Sequence, residues 1–295
     1  MIDLHMHTTY SDGTDSLVEL LNNANKKELK VISITDHDCV DSYKELDELY
    51  IERYYNGRII VGCEFTTSFD NRTIEVLGYG FDYKKVDEYL SNFYADEFVI
   101  SSRIALFNRL VNILKENNLI YNNKVIEDAI KDKFYLITIY NELIKYKENE
   151  DILNEHLFGS YSDFIRKGIY NPKSKLFLNH GEFKPKIEEI INIIHSCGGI
   201  AFLAHPFQYK FNDTEIFLDK IYNKINFDGI ECFYTTFTEE QIDYIKDFAN
   251  KRNLLISGGS DYHGKNKRNF ELGTGYGNLN ISEDILENYN ITFYK

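Results

Sequence analysis

The sequence predicts an α/β barrel of about seven strands carrying a helical insertion. Two patterns carry that prediction. Short runs that are apolar throughout and rich in β-branched residues alternate with amphipathic stretches, as expected of strands buried on both faces and joined by helices. Histidine and acidic residues then recur just after those runs, where the C-terminal ends of barrel strands gather reactive groups.

The runs are Ile2–His5, Val31–Thr35, Ile59–Cys63, Ile74–Tyr79, Ile200–Ala204, Gly229–Phe233 and Leu254–Ser257. After the first, Ser16-Leu17-Val18-Glu19 is a capping-box pattern, and Leu17, Leu20, Leu21 and Ala24 fall on one helical face. The third and fourth runs are separated only by Phe65–Thr73, with Asp70-Asn71 as the turn. That is too short for a helical crossover, so the pair reads as an antiparallel hairpin. Lys186–Cys197 and Glu239–Asn250 read as helices, the former ended by Gly198-Gly199. Between the fourth and fifth runs, Ile104, Phe107, Val111 and Leu114 repeat at helical spacing among Lys, Glu, Asn and Tyr residues. Residues 1–93 and 185–295 are therefore assigned to the barrel, and 94–184 to a mostly helical insertion read as a substrate cap.

At 295 residues with 43% hydrophobic content, the chain can bury a large core. A net charge of −14 disfavours binding along a nucleic-acid backbone, which requires a basic surface. Cys39, Cys63, Cys197 and Cys232 are scattered, with no C-x-x-C pair, and read as reduced core residues. No basic leader precedes an apolar segment and no run approaches a membrane span, so a soluble cytoplasmic protein is expected.

Chemistry concentrates in five short motifs: Asp3-Leu4-His5-Met6-His7 with Ser11-Asp12-Gly13, Thr35-Asp36-His37-Asp38, Gly62-Cys63-Glu64, Ala204-His205-Pro206, and Gly259-Ser260-Asp261-Tyr262-His263. Imidazole nitrogen and carboxylate oxygen suit zinc, manganese and iron. His5 and His7 alternate along a strand, so both can face one ion. Glu64 has two oxygens and can bridge two ions. Asp36 is expected to orient the His37 imidazole, and Asp38 to cap the following helix. His156, His180 and His195 read as structural. No G-x-S-x-G, Gly-rich phosphate loop or activated cysteine suggests another chemistry.

Together, D-L-H-x-H-T-x-x-S-D-G, T-D-H-D, G-x-E, A-H-P and G-S-D-x-H resemble the PHP (polymerase and histidinol phosphatase) family, and most of all its stand-alone phosphoesterases acting on nucleotides. The resemblance covers about residues 1–82 and 185–275 and is weak in the insertion. It implies a distorted seven-stranded TIM-like barrel with two or three divalent ions (Mn, Zn or Fe). By motif, His5, His7, Glu64 and Asp261 would hold one ion, and Asp12, His37 and His263 a second. Glu64 would reach a third, shared with His205. Relatives usually carry a histidine where this chain has Glu75, a carboxylate that can still bind metal. Arg103 matches one of two arginines common in the nucleotide-acting branch, and Leu106 stands for the other. Tyr135–Leu143 lacks the branch's Arg/His pair, and Phe237 replaces a common histidine.

The activity implied is hydrolysis of a small phosphorylated metabolite, first a nucleotide mono- or bisphosphate, by attack of metal-bound hydroxide. Asp12, His37, Glu64 and His205 form the expected catalytic set, with Asp36 behind them. Arg103, Lys265, Lys267 and Arg268 are expected phosphate contacts. The alternatives are a histidinol-phosphate-type phosphatase, a short-RNA exonuclease, or a non-catalytic metal-stabilised regulatory module. No membrane or extended nucleic-acid partner is expected, and no protein partner is inferable.

Overall fold

Seven strands form one sheet in sequential order: β1 (Ile2–Asp3), β2 (Val31–Ile34), β3 (Arg58–Phe69), β4 (Arg72–Tyr79), β5 (Ile200–Leu203), β6 (Gly229–Tyr234) and β7 (Leu255–Gly259). The computed structural model describes residues 1–70, 72–132, 134–153, 159–171, 173–178, 184–209 and 213–294. Its contacts divide the chain into two compact units: Met1–Phe69 with Ile74–Ser91 and Pro185–Lys295, and Asp70–Thr73 with Asn92–Lys184.

In the first unit, β1 to β3 pair in parallel, as do β5 to β7, whereas β4 is antiparallel to β5. The sheet comes round on itself where β1 meets β7: Leu4 N donates to Gly258 O (3.1 Å), Asp261 N to His5 O (2.8 Å) and His7 N to Tyr262 O (2.8 Å). The result is the expected seven-stranded, nearly closed α/β barrel. Two strands depart from their expected lengths. Regular pairing in β1 stops at Asp3; beyond it Leu4 N donates to Gly258 O of β7, His5 and His7 bond to residues just after β7, and Met6 O accepts from Thr35 N. β3 continues past Cys63 to Phe69, so most of the stretch between the third and fourth runs is strand. Only Asp70 (φ +49°) and Asn71 join it to β4, and Asn71 lies outside the described residues.

The helices are α1 (Leu17–Lys26), α2 (Asp41–Glu48), α3 (Tyr83–Ala95), α4 (Glu97–Glu116), α5 (Asn123–Ala129), α6 (Tyr135–Leu143), α7 (Glu148–Ile152), α8 (Tyr161–Asp163), α9 (Ile187–Ser196), α10 (Thr214–Tyr222) and α11 (Glu239–Arg252). α1 starts on the capping box: Glu19 N donates to Ser16 Oγ (3.3 Å) and Ser16 N to Glu19 Oε2 (2.8 Å). Its buried face is Leu17, Leu20, Leu21 and Ala24, as its spacing requires. α9 buries Ile187, Ile190, Ile191 and Ile194, and ends before Gly198, whose φ of +85° glycine adopts without strain. All four cysteines are free; Cys39, Cys63 and Cys232 are buried, but Cys197 at the end of α9 is only half-buried. Among the described residues no helix is long and apolar enough to cross a membrane.

The second unit has its own apolar core, with Leu106, Phe107, Leu110 and Leu114 of α4 packed with residues such as Ile139 and Leu143 of α6. The buried stripe of α4 is thus rotated from the expected one: Phe107 and Leu114 are inside, Val111 is partly buried, and Ile104 is exposed.

In the barrel, Ile2, Val31, Ile60, Leu77 and Phe202 pack with Leu279, Ile281, Leu286 and Tyr289 of the C-terminal segment. These strand residues lie toward the starts of the parallel strands and the end of β4, so the C-terminal segment closes the end opposite the histidines. Close backbone packing at the other end requires glycine. A Cβ on Gly259 would lie 2.4 Å from His5 N and 2.5 Å from His5 Cβ. Gly259→Ala is therefore expected to destabilise the metal-free protein by about 1–3 kcal/mol. Chemical denaturation measures this, and an unchanged midpoint would contradict the packing described.

Candidate metal centre

The ends of the strands bring the predicted residues together. His5 and His7 follow β1, His37 follows β2, Glu64 lies within β3, His205 follows β5, and Asp261 and His263 follow β7. Glu75 joins them because β4 runs antiparallel to its neighbour β5, so its first half lies at the end where β5 finishes; Ala204 N donates to Glu75 O (3.1 Å).

Three groups of side chains each offer ligand atoms within 4.8 Å of one another: His7, Asp12, His37 and His263; His5, His7, Glu64 and Asp261; and His37, Glu64 and Glu75. In the first, Asp12 Oδ1 is 3.1 Å from His263 Nε2, 3.7 Å from His7 Nδ1 and 3.8 Å from His37 Nε2. In the second, Glu64 Oε2 is 3.1 Å from His5 Nε2 and 3.3 Å from His7 Nε2, while Asp261 Oδ1 is 3.4 Å and 3.3 Å from the same two atoms. In the third, His37 Nδ1 is 3.3 Å from Glu64 Oε2. His205 Nε2 borders this group, 2.8 Å from Glu64 Oε1 and 3.3 Å from Glu75 Oε2.

The donor set fits divalent ions on chemical grounds. It also fits on an observation: His7 Nε2, Asp12 Oδ1, His37 Nδ1 and Asp261 Oδ1 are buried without a hydrogen-bond partner. An unmet buried polar atom costs about 1–3 kcal/mol, and coordination would remove that cost.

Several buried side chains brace this centre, and most were not singled out from the sequence. Asp3, wholly buried, accepts from His5 N (3.2 Å), Ser260 N (2.9 Å), Ser260 Oγ (2.6 Å) and Gly273 N (2.7 Å), so it ties β1 to the end of β7. Glu231 of β6 accepts from His205 N (2.7 Å) and lies 2.8 Å from His5 Nδ1. Tyr234 donates to Asp261 Oδ2 (2.6 Å). A carboxylate inside an otherwise apolar run was the available signal for Asp3 and Glu231. Nothing comparable marked Tyr234.

Other expectations need correction. Asp36 does not orient His37. Its carboxylate accepts from Thr8 N (2.8 Å), Thr8 Oγ1 (2.7 Å) and Ser11 Oγ (2.6 Å), and so shapes the loop between His7 and Asp12. Asp38 does not cap α2, whose N-cap is Val40; Asp38 Oδ1 accepts from Thr66 N (2.8 Å). Lys267, an expected phosphate contact, is buried with Nζ on Asp261 Oδ2. Lys265 and Arg268 are exposed. Arg103 Nη2 donates to Ile130 O (3.1 Å) and Asp132 O, an engagement inside the second unit. His195 does have a carboxylate partner, Asp228 Oδ2 at 2.7 Å, which also accepts from Ala201 N, so its role is structural. His156 and His180 lie outside the described residues.

The charges set a protonation pattern. Burial opposes charge on His7, but the nearby carboxylates of Asp261, Glu64 and Asp12 outweigh it and push its pKa up to about 9. Burial likewise opposes charge on His5, yet Glu64, Glu231 and Asp261 raise it well above the usual histidine value. Burial holds His263 down at about 4 despite Asp12. Asp12, Glu64 and Asp261 stay far below the usual carboxylate range, because imidazoles (and, for Asp261, Lys267) outweigh the cost of their burial. A ring nitrogen must be unprotonated to bind a metal. The metal-free protein holds a proton on His7 below about pH 9, so metal uptake must release it, and affinity must rise with pH up to that value. Titration calorimetry at pH 7 in buffers of different ionisation enthalpy reports the release. Heats independent of buffer would contradict it.

A model of the PHP domain matches residues 3–253. Among curated proteins, the chain is 25% identical over 265 residues to a 5'-3' exoribonuclease of Haemophilus influenzae, covering 88% of this chain and 89% of that one. It is 25% identical over 276 residues to a phosphoribosyl 1,2-cyclic phosphate 1,2-diphosphodiesterase of Eggerthella lenta, covering 89% and 94%. It is 21% identical over 284 residues to a 3',5'-nucleoside bisphosphate phosphatase of Chromobacterium violaceum, covering 92% and 90%. Among solved structures, an amidohydrolase from Chromobacterium violaceum shares the fold with a TM-score of 0.71 at 21% identity, over 92% of this chain and 89% of that one. The family model spans β1 to β6, and Asp261 and His263 just beyond it complete the clusters that its motifs begin. On the extent of that match, the chain belongs to the PHP domain family.

Proposed function

We propose that this protein is a metal-dependent phosphoesterase that hydrolyses a small phosphorylated metabolite, a nucleotide mono- or bisphosphate first. The observation carrying this reading is the convergence of unmet, buried ligand atoms from the ends of several strands on shared points. Curated relatives of similar length act, by their names, on nucleoside bisphosphates, a phosphoribosyl cyclic phosphate or RNA, and each of those substrates contains a phosphoester.

His5, His7, Glu64 and Asp261 would hold one ion, and Asp12, His37 and His263 a second. Glu64, with His205 and Glu75, would offer a third position. Manganese, zinc or iron suits such a set. When bound, these ions supply Lewis acidity, stabilising charge on phosphoryl oxygens and lowering the pKa of water. The need for them follows from charge: Asp12, Glu64, Glu75, Glu231 and Asp261 are all buried here, and their summed field would repel a phosphate. The chain's own residues hold the geometry. Asp36 keeps Thr8 and Ser11 in place, and so sets the approach of Asp12 to His7. His37, 20% exposed where the other histidines of the set are buried, marks the side from which substrate enters. Lys265 and Arg268, exposed beyond His263, are the remaining cations for a phosphate tail. Free thiols support a reducing, cytoplasmic setting.

The test is metal analysis together with a phosphate-release screen over nucleoside mono- and bisphosphates, cyclic phosphates, histidinol phosphate and short RNA. Release in the presence of Mn²⁺, Zn²⁺ or Fe²⁺ is expected, with loss after chelation. Asp12→Ala and His37→Ala should each lower kcat by about 10²-fold or more with the fold retained. Glu75→Gln should lower the metal-to-protein ratio. A protein that binds metal but hydrolyses none of these substrates would be a metal-stabilised module rather than a phosphoesterase.

A further inference from the structure

Glu231 stands apart from the candidate ligands, yet it contacts two of them at once. It is the only charged residue of β6, and it is fully buried. Its Oε1 lies 2.8 Å from His5 Nδ1, and its Oε2 accepts from His205 N at 2.7 Å. Both oxygens are therefore committed, and neither faces Glu64 or Asp261, on which His5 Nε2 converges.

A carboxylate accepts at both oxygens and donates at neither. The His5 ring can therefore make its bond to Glu231 only with a proton on Nδ1. That leaves Nε2, the atom aimed at Glu64 and Asp261, as the ligating nitrogen. The second contact works on the backbone. His205 has φ +21°, a conformation that a non-glycine residue keeps only when its surroundings enforce it, and it precedes Pro206. The bond from His205 N to Glu231 is one such enforcement, and it fixes the point from which the His205 ring reaches Glu64 Oε1.

We propose that Glu231 is a positioning residue for the metal centre, holding the His5 ring as its Nδ1–H tautomer and pinning the backbone of His205 through its other oxygen. This rests on the metal reading of the site. It predicts a requirement that shape alone would not impose. Glutamine has the size of glutamate but only one acceptor oxygen, so Glu231→Gln must leave either His5 Nδ1–H or His205 N–H facing an amide that also donates.

The experiment uses the full chain loaded with Zn²⁺, which is diamagnetic. Long-range ¹H–¹⁵N spectra of the histidine rings identify which nitrogen carries the proton and which the metal. The expected result is His5 with Nδ1–H and metal-bound Nε2. Glu231→Gln should weaken binding at the site of His5, His7, Glu64 and Asp261 by about 10–100-fold, while the ring signals of His37 and His263 keep their metal-bound positions. A His5 tautomer with the proton on Nε2, or Glu231→Gln binding Zn²⁺ at unchanged affinity, would overturn the proposal while leaving the metal reading intact. Parallel loss at both sites would also overturn it, since that is the signature of a general structural role. Failure of the unsubstituted protein to take up Zn²⁺ would overturn the metal reading itself, and this proposal with it.

Discussion

One carboxylate organises the centre. Glu64 turns Oε2 toward His5, His7 and His37 and Oε1 toward His205, so four imidazoles share a single acceptor group. Desolvating a carboxylate to this degree costs several kcal/mol unless its partners compensate. Here they do so well enough to hold its pKa far below the usual range. The same carboxylate keeps the imidazoles next to one another, and it belongs to two of the three groups that could hold an ion. The barrel brings the ends of three strands, β1, β2 and β5, within reach of it.

The supporting structure follows from that requirement. Asp3 and Glu231 work from beneath, on the β1–β7 seam and on β6, while Asp36 works from the loop side. Close approach at the seam needs Gly259, where any side chain would meet His5. Three non-glycine residues with positive φ, Asp38, His205 and Asp261, stand at strand ends around the site. Such conformations have a cost, and they concentrate where the surrounding structure enforces a functional geometry. The antiparallel pairing of β4 with β5 also shapes the site. It places the first half of β4, and hence Glu75, beside the end of β5 that carries His205.

The strand runs were legible because buried parallel strands need continuous apolar sequence, and α1 because its capping box and its apolar face both show in ten residues. The candidate ligands were legible because histidines after several runs obey one spatial rule. What escaped has physical causes. The roles of Asp36 and Asp38 depend on which backbone groups the folded loops present, and adjacency to His37 carried no information about that. Lys267 read as a phosphate contact because sequence does not reveal that the segment after His263 folds back onto Asp261. Arg103 faces carbonyls of its own unit, which a motif match cannot disclose. In each case the missing information was a tertiary contact, not a local preference.

The central claim is that these strand ends form a multinuclear metal site around Glu64. Diffraction from crystals soaked in Mn²⁺ and measured at the manganese absorption edge tests it most directly. The account predicts separate anomalous peaks, one in contact with His5, His7, Glu64 and Asp261 and one in contact with Asp12, His37 and His263. Crystals that take up Mn²⁺ with no anomalous peak touching these side chains would contradict it.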